Sequence, residues 1–282
     1  MYNIDMIKHS AIYILCIFSL YLSVPTISFA NKYQDSAYAV KTIVLDAGHG
    51  GDKVGTKGAV SLEKNVTLEV VLKLGKAIEA EIPGVKVYYT RTTDIDVELY
   101  KRIEFANEKK ADLFISVHCN ATPLKRHRNS KGRYYSVQDH TVRGTETFVS
   151  GFGRLGEQDA ALRENADILM EDNYRENYQG FDPNDPGSYI VFSLMKNQFR
   201  DKSIRLASAI QEQYVKFGRE DRGVQEQSLA VLARAGMPAV LTEIGFLSNP
   251  NEETFMNSEK GQAEIIKGLI EAIKIYKRQV EH

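Results

Sequence analysis

The stretch Ile43-Val-Leu-Asp-Ala-Gly-His-Gly-Gly51 decides how the rest of the chain is read. A short run rich in Ile and Val stops at a histidine set among glycines. Such a pattern is a β-strand running into a tight turn, and the glycines let another segment approach His49 closely. Lys41 to Leu45 is the strand, and Asp52 to Val60 continues as a loop. Ser61 then reads as the N-cap of a helix with Val66, Val70, Leu74 and Ile78 at helical spacing, ended by Pro83-Gly84. Glu63 falls in its first turn, where the helix dipole favours an anion.

Further along, Val85 to Thr90 alternates as a second strand, and Val97 to Lys109 places Leu99, Ile103 and Ala106 on one helical face. Asp112 to His118 is a continuous apolar strand of the kind found at the centre of a parallel sheet. This alternation predicts an α/β domain: a mainly parallel twisted sheet with helices on both faces. Thr122 to Arg143, polar and basic with scattered tyrosines, reads as a long exposed loop before the strand Thr145 to Ser150. Glu157 to Glu171 is helical in pattern, Asn173 to Gly187 is broken by Gly and Pro, and a second helical pattern covers Ser188 to Phe217. Long irregular segments inside a domain tend to be lids or binding loops. Ser228 to Ala233 is read as strand or extended chain, Ala239 to Ile244 as strand, Gly245 to Asn251 as turn, and Gly261 to Lys277 as the closing helix.

Residues 1–30 are set aside as a signal peptide, because Lys8 and His9 precede the apolar run Ala11 to Val24 and the small-x-small triplet Ser28-Phe29-Ala30. The run is shorter than the roughly 20 residues needed to span a bilayer, so no stable membrane insertion is expected after cleavage. Export across the inner membrane to the periplasm follows. Residues 31–40 read as a flexible exit and 41–282 as one domain, a length that two small ones could also fill. With Cys16 removed, Cys119 is the only thiol, so no intrachain disulfide is possible. The 36 basic and 37 acidic residues leave a net charge of −1, and no basic stripe with interleaved aromatics is evident, so no nucleic-acid partner is expected.

Six histidines are present. His9 leaves with the signal peptide, His282 is terminal, and His127 and His140 sit in the polar loop, where a solvated ring is the default. His49 and His118 each follow the C-terminal end of a strand, and such ends share one edge of an open α/β sheet. A lone histidine there reads as a hydrogen-bonding partner of nearby backbone; two at equivalent ends read as metal ligands, of which catalytic zinc commonly uses three. Glu243 stands in an otherwise apolar strand, where a bare carboxylate is costly. It is compensated by an ion pair with an arginine such as Arg91, faces solvent, or serves as a general base with its pKa raised by burial.

Seven segments in order resemble the zinc-dependent N-acetylmuramoyl-L-alanine amidases of bacterial cell walls: Ile43 to Gly51, Glu63, Thr90-Arg91, Arg102 with Ala106-Asn107, Ser116-Val-His-Cys-Asn-Ala121, Gly144-Thr-Glu-Thr-Phe148 and Thr242-Glu-Ile-Gly-Phe-Leu-Ser-Asn249. The resemblance implies one Zn2+ held by His49, Glu63 and His118, with Glu243 as the catalytic carboxylate. It also implies hydrolysis of the amide between N-acetylmuramic acid and L-alanine in peptidoglycan. Cys119 stands where another small residue is expected. Arg91 and Asn120 are candidates for substrate positioning, with a purely structural role equally open. Similar amidases carry a helical insertion after the strand matching Thr145 to Ser150, which covers the zinc until a protein activator displaces it. The segment 157–217, beginning with Leu162-Arg-Glu-Asn-Ala166, is read as such a lid, with Glu164 as its contact at the metal; an ordinary helix pair enlarging the core is the alternative. Two other functions stay open: a zinc peptidase acting on stem peptides, and a peptidoglycan-binding module without turnover. Targeting to the wall is expected from the domain itself or from a partner.

Overall fold

Alternation along the strands builds the molecule. In the computed structural model, which describes residues 39–151, 158–185, 187–189 and 198–281, Ile43, Leu45 and Ala47 face one side of the central sheet and Val44 the other. The expected signal peptide lies outside the described residues. Among those described, no helix is long and apolar enough to cross a membrane.

The main sheet has six strands: β1 (Thr42–Ala47), β2 (Lys86–Tyr89), β3 (Leu113–Asn120), β6 (Thr145–Ser150), β7 (Asp221–Gln227) and β8 (Ala239–Phe246), in the order β2-β1-β3-β8-β6-β7. All pairings are parallel except β6 with β8. Strands β3 and β8 are buried along their whole length, as their apolar sequences require at the centre of a sheet covered on both faces. One face packs on α1 (Glu63–Glu81), α5 (Arg200–Lys216) and α7 (Glu259–Val280); the other packs on α2 (Leu99–Glu108) and on the segment around α3 (Asp159–Glu164). The described residues form one α/β domain.

Several local expectations change. The loop 122–143 contains an antiparallel hairpin, β4 (Lys125–Arg128) with β5 (Tyr134–Val137), exposed throughout. The apolar Ser228 to Ala233 is a buried turn rather than a strand, with Leu229, Val231 and Leu232 in the core, while the polar Asp221–Gln227 supplies the strand. An edge strand pairs on one side only, so polar residues are tolerated there, and an apolar run can be buried without pairing. Ser61 does not cap α1; Leu62 holds that position, and the Ser61 hydroxyl donates to Glu253 Oε1 at 2.7 Å. The turn after Gly245 ends in a helix, α6 (Pro250–Met256), capped by Asn249 Oδ1, which accepts from the Asn251 and Glu252 amides. Val40, expected in a flexible exit, is fully buried, and its amide donates to Glu281 Oε1.

The stretch 157–217 divides. Its first part folds as α3, a 3-10 turn (Asn165–Met170) and the short α4 (Tyr174–Asn177). Its last part, α5, buries Leu206, Ala207, Ile210 and Tyr214 against the sheet. Residues 187–189 are helical, as the pattern from Ser188 predicts, residues 190–197 lie outside the described set, and the long helix packed on the sheet begins at Arg200, so only the part before Arg200 is left for the expected lid.

Candidate metal centre

His49 stands two residues beyond β1, at a left-handed φ of 59°. A non-glycine residue there costs of order 1–3 kcal/mol unless its surroundings hold it. Two buried arginines do so: Arg91 donates to the Ala47 and Gly48 carbonyls, and Arg102 donates to those of Ala47 and His49. Arg102 also pairs at 2.8 Å with Asp46, whose carboxylate accepts from Ser116 and Thr90. Arg102 and these hydrogen bonds outweigh the opposing effect of burial and lower the Asp46 pKa. Arg91 spends its donors on the carbonyls of residues 47, 48, 64 and 93 and on Thr67, so it braces the turn and is not the partner of Glu243.

His118 lies inside β3 rather than after it, because the strand runs on to Asn120. Its ring meets the turn where Gly48 has no side chain: a Cβ at Gly48 would come within 2.5 Å of the imidazole. Glu63, the first residue of α1, receives Thr56 N–H at Oε2 (2.7 Å) and Cys119 N–H at Oε1 (2.9 Å), which fixes both oxygens. Gly55 leaves room for it, since a Cβ there would meet Glu63 Oε2 and His49 at 2.5 Å. The loop before α1 is anchored at a distance, where Glu253 accepts from the amides of Ala59, Val60 and Ser61.

These elements bring four buried side chains together: His49, Glu63, His118 and Glu164, with one ligand atom of each within 4.8 Å of the others. Glu164 arrives at the end of α3. Its Oε2 lies 2.9 Å from His118 Nδ1 and 3.3 Å from His49 Nε2, while Glu63 Oε2 is 3.2 Å from His49 Nε2 and Glu63 Oε1 is 3.0 Å from His118 Nδ1. His49 Nε2 and Glu164 Oε2 are buried without a hydrogen-bond partner despite this crowding. Ligands about 2.0–2.1 Å from a tetrahedral ion are about 3.3 Å apart, so the spacing and the nitrogen and oxygen donors fit a zinc-sized cation.

The electrostatics agree. Burial alone would depress both imidazoles, but Glu63 and Glu164 overcome it: the His49 pKa is raised well above 6.5 and that of His118 is carried to about 10. Burial would raise the carboxylates, and the facing histidines instead hold Glu63 and Glu164 well below the usual carboxylate range. The cluster thus attracts positive charge, whether protons or a metal. His49 Nδ1 is hydrogen-bonded to Asp167 at 2.8 Å, an outer contact of the type that orients a ligating imidazole.

Glu243 pairs in register with His118 across β3 and β8, so both side chains share one face beside the cluster. Burial, with help from Glu164 and Glu63, pushes its pKa up to about 8 against the pull of Arg163. Arg163 Nη2 donates to Glu243 Oε1 at 2.8 Å, while Glu243 Oε2 is buried with no hydrogen-bond partner among the described residues. Asn120 lies on the wall of a cleft of about 530 Å3 that Arg163 and Arg222 also line. Sequence reading missed Arg163, Asp167 and Glu146, the last of which pairs in register with Glu243 from β6 and binds Arg222. For Arg163 a signal was available: it immediately precedes Glu164 in the same helical turn.

A family model described as N-acetylmuramoyl-L-alanine amidase matches residues 43–275. The chain belongs to this amidase family. The amidase domain is 28% identical over 236 residues to N-acetylmuramoyl-L-alanine amidase AmiC of Escherichia coli O6:H1, covering 83% of this chain and 52% of AmiC. It is 30% identical over 233 residues to the endolysin of Bacillus phage SPP1, covering 83% of this chain and 65% of the endolysin. The chain thus spans about half to two thirds of these relatives. Among solved structures, N-acetylmuramoyl-L-alanine amidase from Clostridium difficile 630 superimposes with a TM-score of 0.58 at 25% identity, covering 84% of this chain and 97% of that one.

Proposed function

We propose that the protein is a zinc-dependent N-acetylmuramoyl-L-alanine amidase that hydrolyses the amide joining N-acetylmuramic acid to the L-alanine of the peptidoglycan stem peptide. The observation that carries this reading is the convergence of His49, Glu63 and His118 beside a buried Glu243 whose pKa is raised to about 8. A carboxyl tuned near neutrality can both take and return a proton at working pH. His49 Nε2, Glu63 and His118 Nδ1 would hold the cation, and a bound zinc would supply a Lewis acid for the carbonyl oxygen and a water of lowered pKa. Glu243 accepts the proton of the attacking water at Oε2 and passes it to the leaving nitrogen of L-alanine. The products are the lactyl carboxylate on the glycan and a stem peptide with a free amine. Asn120 orients the substrate from the cleft wall, and Arg91 keeps the His49 turn in place.

In this reading Glu164 would occupy, at rest, a place beside His49, Glu63 and His118 that water needs, and the segment 159–189 that carries it is an autoinhibitory lid. Arg163 belongs to the same helix and pairs with Glu243, so one helix brings Glu164 to the two histidines and a counter-charge to Glu243. A protein activator that draws this segment away releases both groups together. The pattern of Lys8, the apolar run and Ser28-Phe29-Ala30 supports export to the periplasm, where peptidoglycan is met.

Product analysis tests the activity. Purified sacculi treated with the zinc-loaded protein are expected to release stem peptides bearing an L-alanine amine, and Glu243→Gln is expected to lower that release by about 10²–10⁴-fold with zinc still bound. Cleavage inside the stem peptide, or full activity in the variant, refutes the assignment.

A further inference from the structure

The hairpin β4–β5 has no place in the chemistry above, and its composition is unlike the rest of the chain. From Leu124 to Val137 it carries Lys125, Arg126, Arg128, Lys131 and Arg133 and no acidic residue, in a protein whose net charge is −1. Residues opposite one another in an antiparallel pair share a face. The register therefore puts Lys125, His127, Tyr135 and Val137 on one face and Arg126, Arg128, Tyr134 and Ser136 on the other. Both strands are exposed along their whole length, with Leu124 at 67%, Tyr134 at 59% and Tyr135 at 51% exposure, so neither face is covered by the domain.

Like charges on a two-stranded ribbon repel, and such a ribbon is only marginally stable by itself in water. Among the described residues none of the five cations forms an ion pair with a carboxylate. Two of the guanidiniums make contacts within the ribbon. Arg126 stacks 3.9 Å from the centre of the Tyr134 ring, Arg128 lies 5.7 Å from it, and Arg128 Nε donates to the Gly132 carbonyl. A stacked guanidinium keeps its edge free, and that edge matches a carboxylate with two parallel hydrogen bonds.

Position links the ribbon to the metal centre. It begins a few residues beyond Asn120, at the end of the strand that carries His118. Its base is pinned where Thr122 Oγ1 donates to the Asp139 carbonyl and Gln138 donates to that of Thr122. Lys125 lines the same cleft as Asn120 and Arg163. A polymer lying in that cleft meets the ribbon next.

We propose that the hairpin Lys125–Val137 is a docking arm for the free carboxylates of stem peptides on peptidoglycan strands next to the one being cut, an inference that rests on the amidase reading of the cleft. Charge complementarity selects an anionic partner. The two-sided distribution selects a mesh that surrounds the arm, since an element lying on a membrane gathers its apolar residues on one face. Here each face mixes cations with an aromatic ring.

The test uses the full protein with Arg126→Gln, Arg128→Gln and Arg133→Gln combined, beside the corresponding triple lysine variant. Co-sedimentation with purified sacculi across a salt series is expected to show about tenfold weaker binding and a shallower salt dependence for the glutamine triple, from three exposed charge contacts of modest strength each. The lysine triple, which keeps the charge but not the paired hydrogen bonds, is expected to bind more tightly than the glutamine triple and less tightly than wild type. Sacculi whose carboxylates have been chemically amidated are expected to bind wild-type protein as poorly as untreated sacculi bind the glutamine triple. Turnover of intact sacculi is expected to fall about tenfold more than turnover of a single soluble muropeptide. Thermal melting at the wild-type temperature establishes that the variant is folded. Wild-type binding by the glutamine triple, equal binding to amidated sacculi, or tighter arginine-dependent capture by phosphatidylglycerol vesicles than by sacculi overturns the proposal. Arginine-dependent binding without any release of stem peptide supports the arm and removes the amidase reading instead.

Discussion

Replacing Glu164 by alanine isolates what α3 does at the proposed metal position. The side chain is buried and places Oε2 within 2.9 Å of His118 Nδ1 and 3.3 Å of His49 Nε2. Its removal empties that position whether or not α3 moves, because Asp167, Asn165 and Glu171 still tie the segment to His49, Ser228 and Lys53. A hydrogen bond to a charged group is worth about 1.5–3 kcal/mol. If closure rests on that contact, deleting it raises the fraction of accessible sites by about one to two powers of ten. Initial rates of stem-peptide release, measured at saturating zinc with metal content determined in parallel, are therefore expected to rise about 10–100-fold. A rate equal to or below wild type in protein that still carries its zinc refutes occlusion and makes Glu164 a structural ligand.

Further outcomes follow from the same geometry. Asp167→Asn removes the carboxylate that orients His49, and the resting protein is expected to bind zinc about 10–100-fold more weakly in competition with a chelator; unchanged affinity means that the contact does not orient the ring. In the metal-free protein His118, with its pKa at about 10, and His49, raised well above 6.5, hold protons at pH 7 that the metal must displace. Zinc binding is thus expected to release protons and to tighten as pH rises; calorimetric enthalpies at pH 7 that do not vary with the ionisation enthalpy of the buffer exclude this. The sign for stability follows: the His118 contribution to the metal-free fold is complete below its ordinary pKa of 6.5 and is lost as pH rises through about 10. Glu243 acts in the same direction, because a carboxyl raised from 4.5 to about 8 contributes fully below 4.5 and loses that contribution as pH rises to about 8. Melting of the metal-free protein is expected to shift downward from neutral to alkaline pH, and an upward shift contradicts the assignment.

Local pattern alone determined much of this protein. The Ile43 to Gly51 stretch, the helical spacing of Val66, Val70, Leu74 and Ile78, and the apolar Asp112 to His118 each report burial through local pattern, which follows from backbone geometry before any tertiary contact forms. From them come the parallel sheet, the shared edge of β1 and β3, and the placement of His49 and His118 there. Glu63 was visible only by its likeness to a family, since a first-turn glutamate has a sufficient local reason in the helix dipole. Periodicity says nothing of pairing, and so the polar β7 and the apolar turn 228–233 were exchanged. It was equally silent on Arg163 and Asp167: both reach the centre only because α3 and the 3-10 turn fold back over the sheet from more than 100 residues beyond His49, as the separation of 118 residues between His49 and Asp167 shows. The basic loop became a ribbon with charge on both faces for the same reason. Which residues share a strand is written in sequence, but which faces the domain leaves uncovered is settled by packing alone.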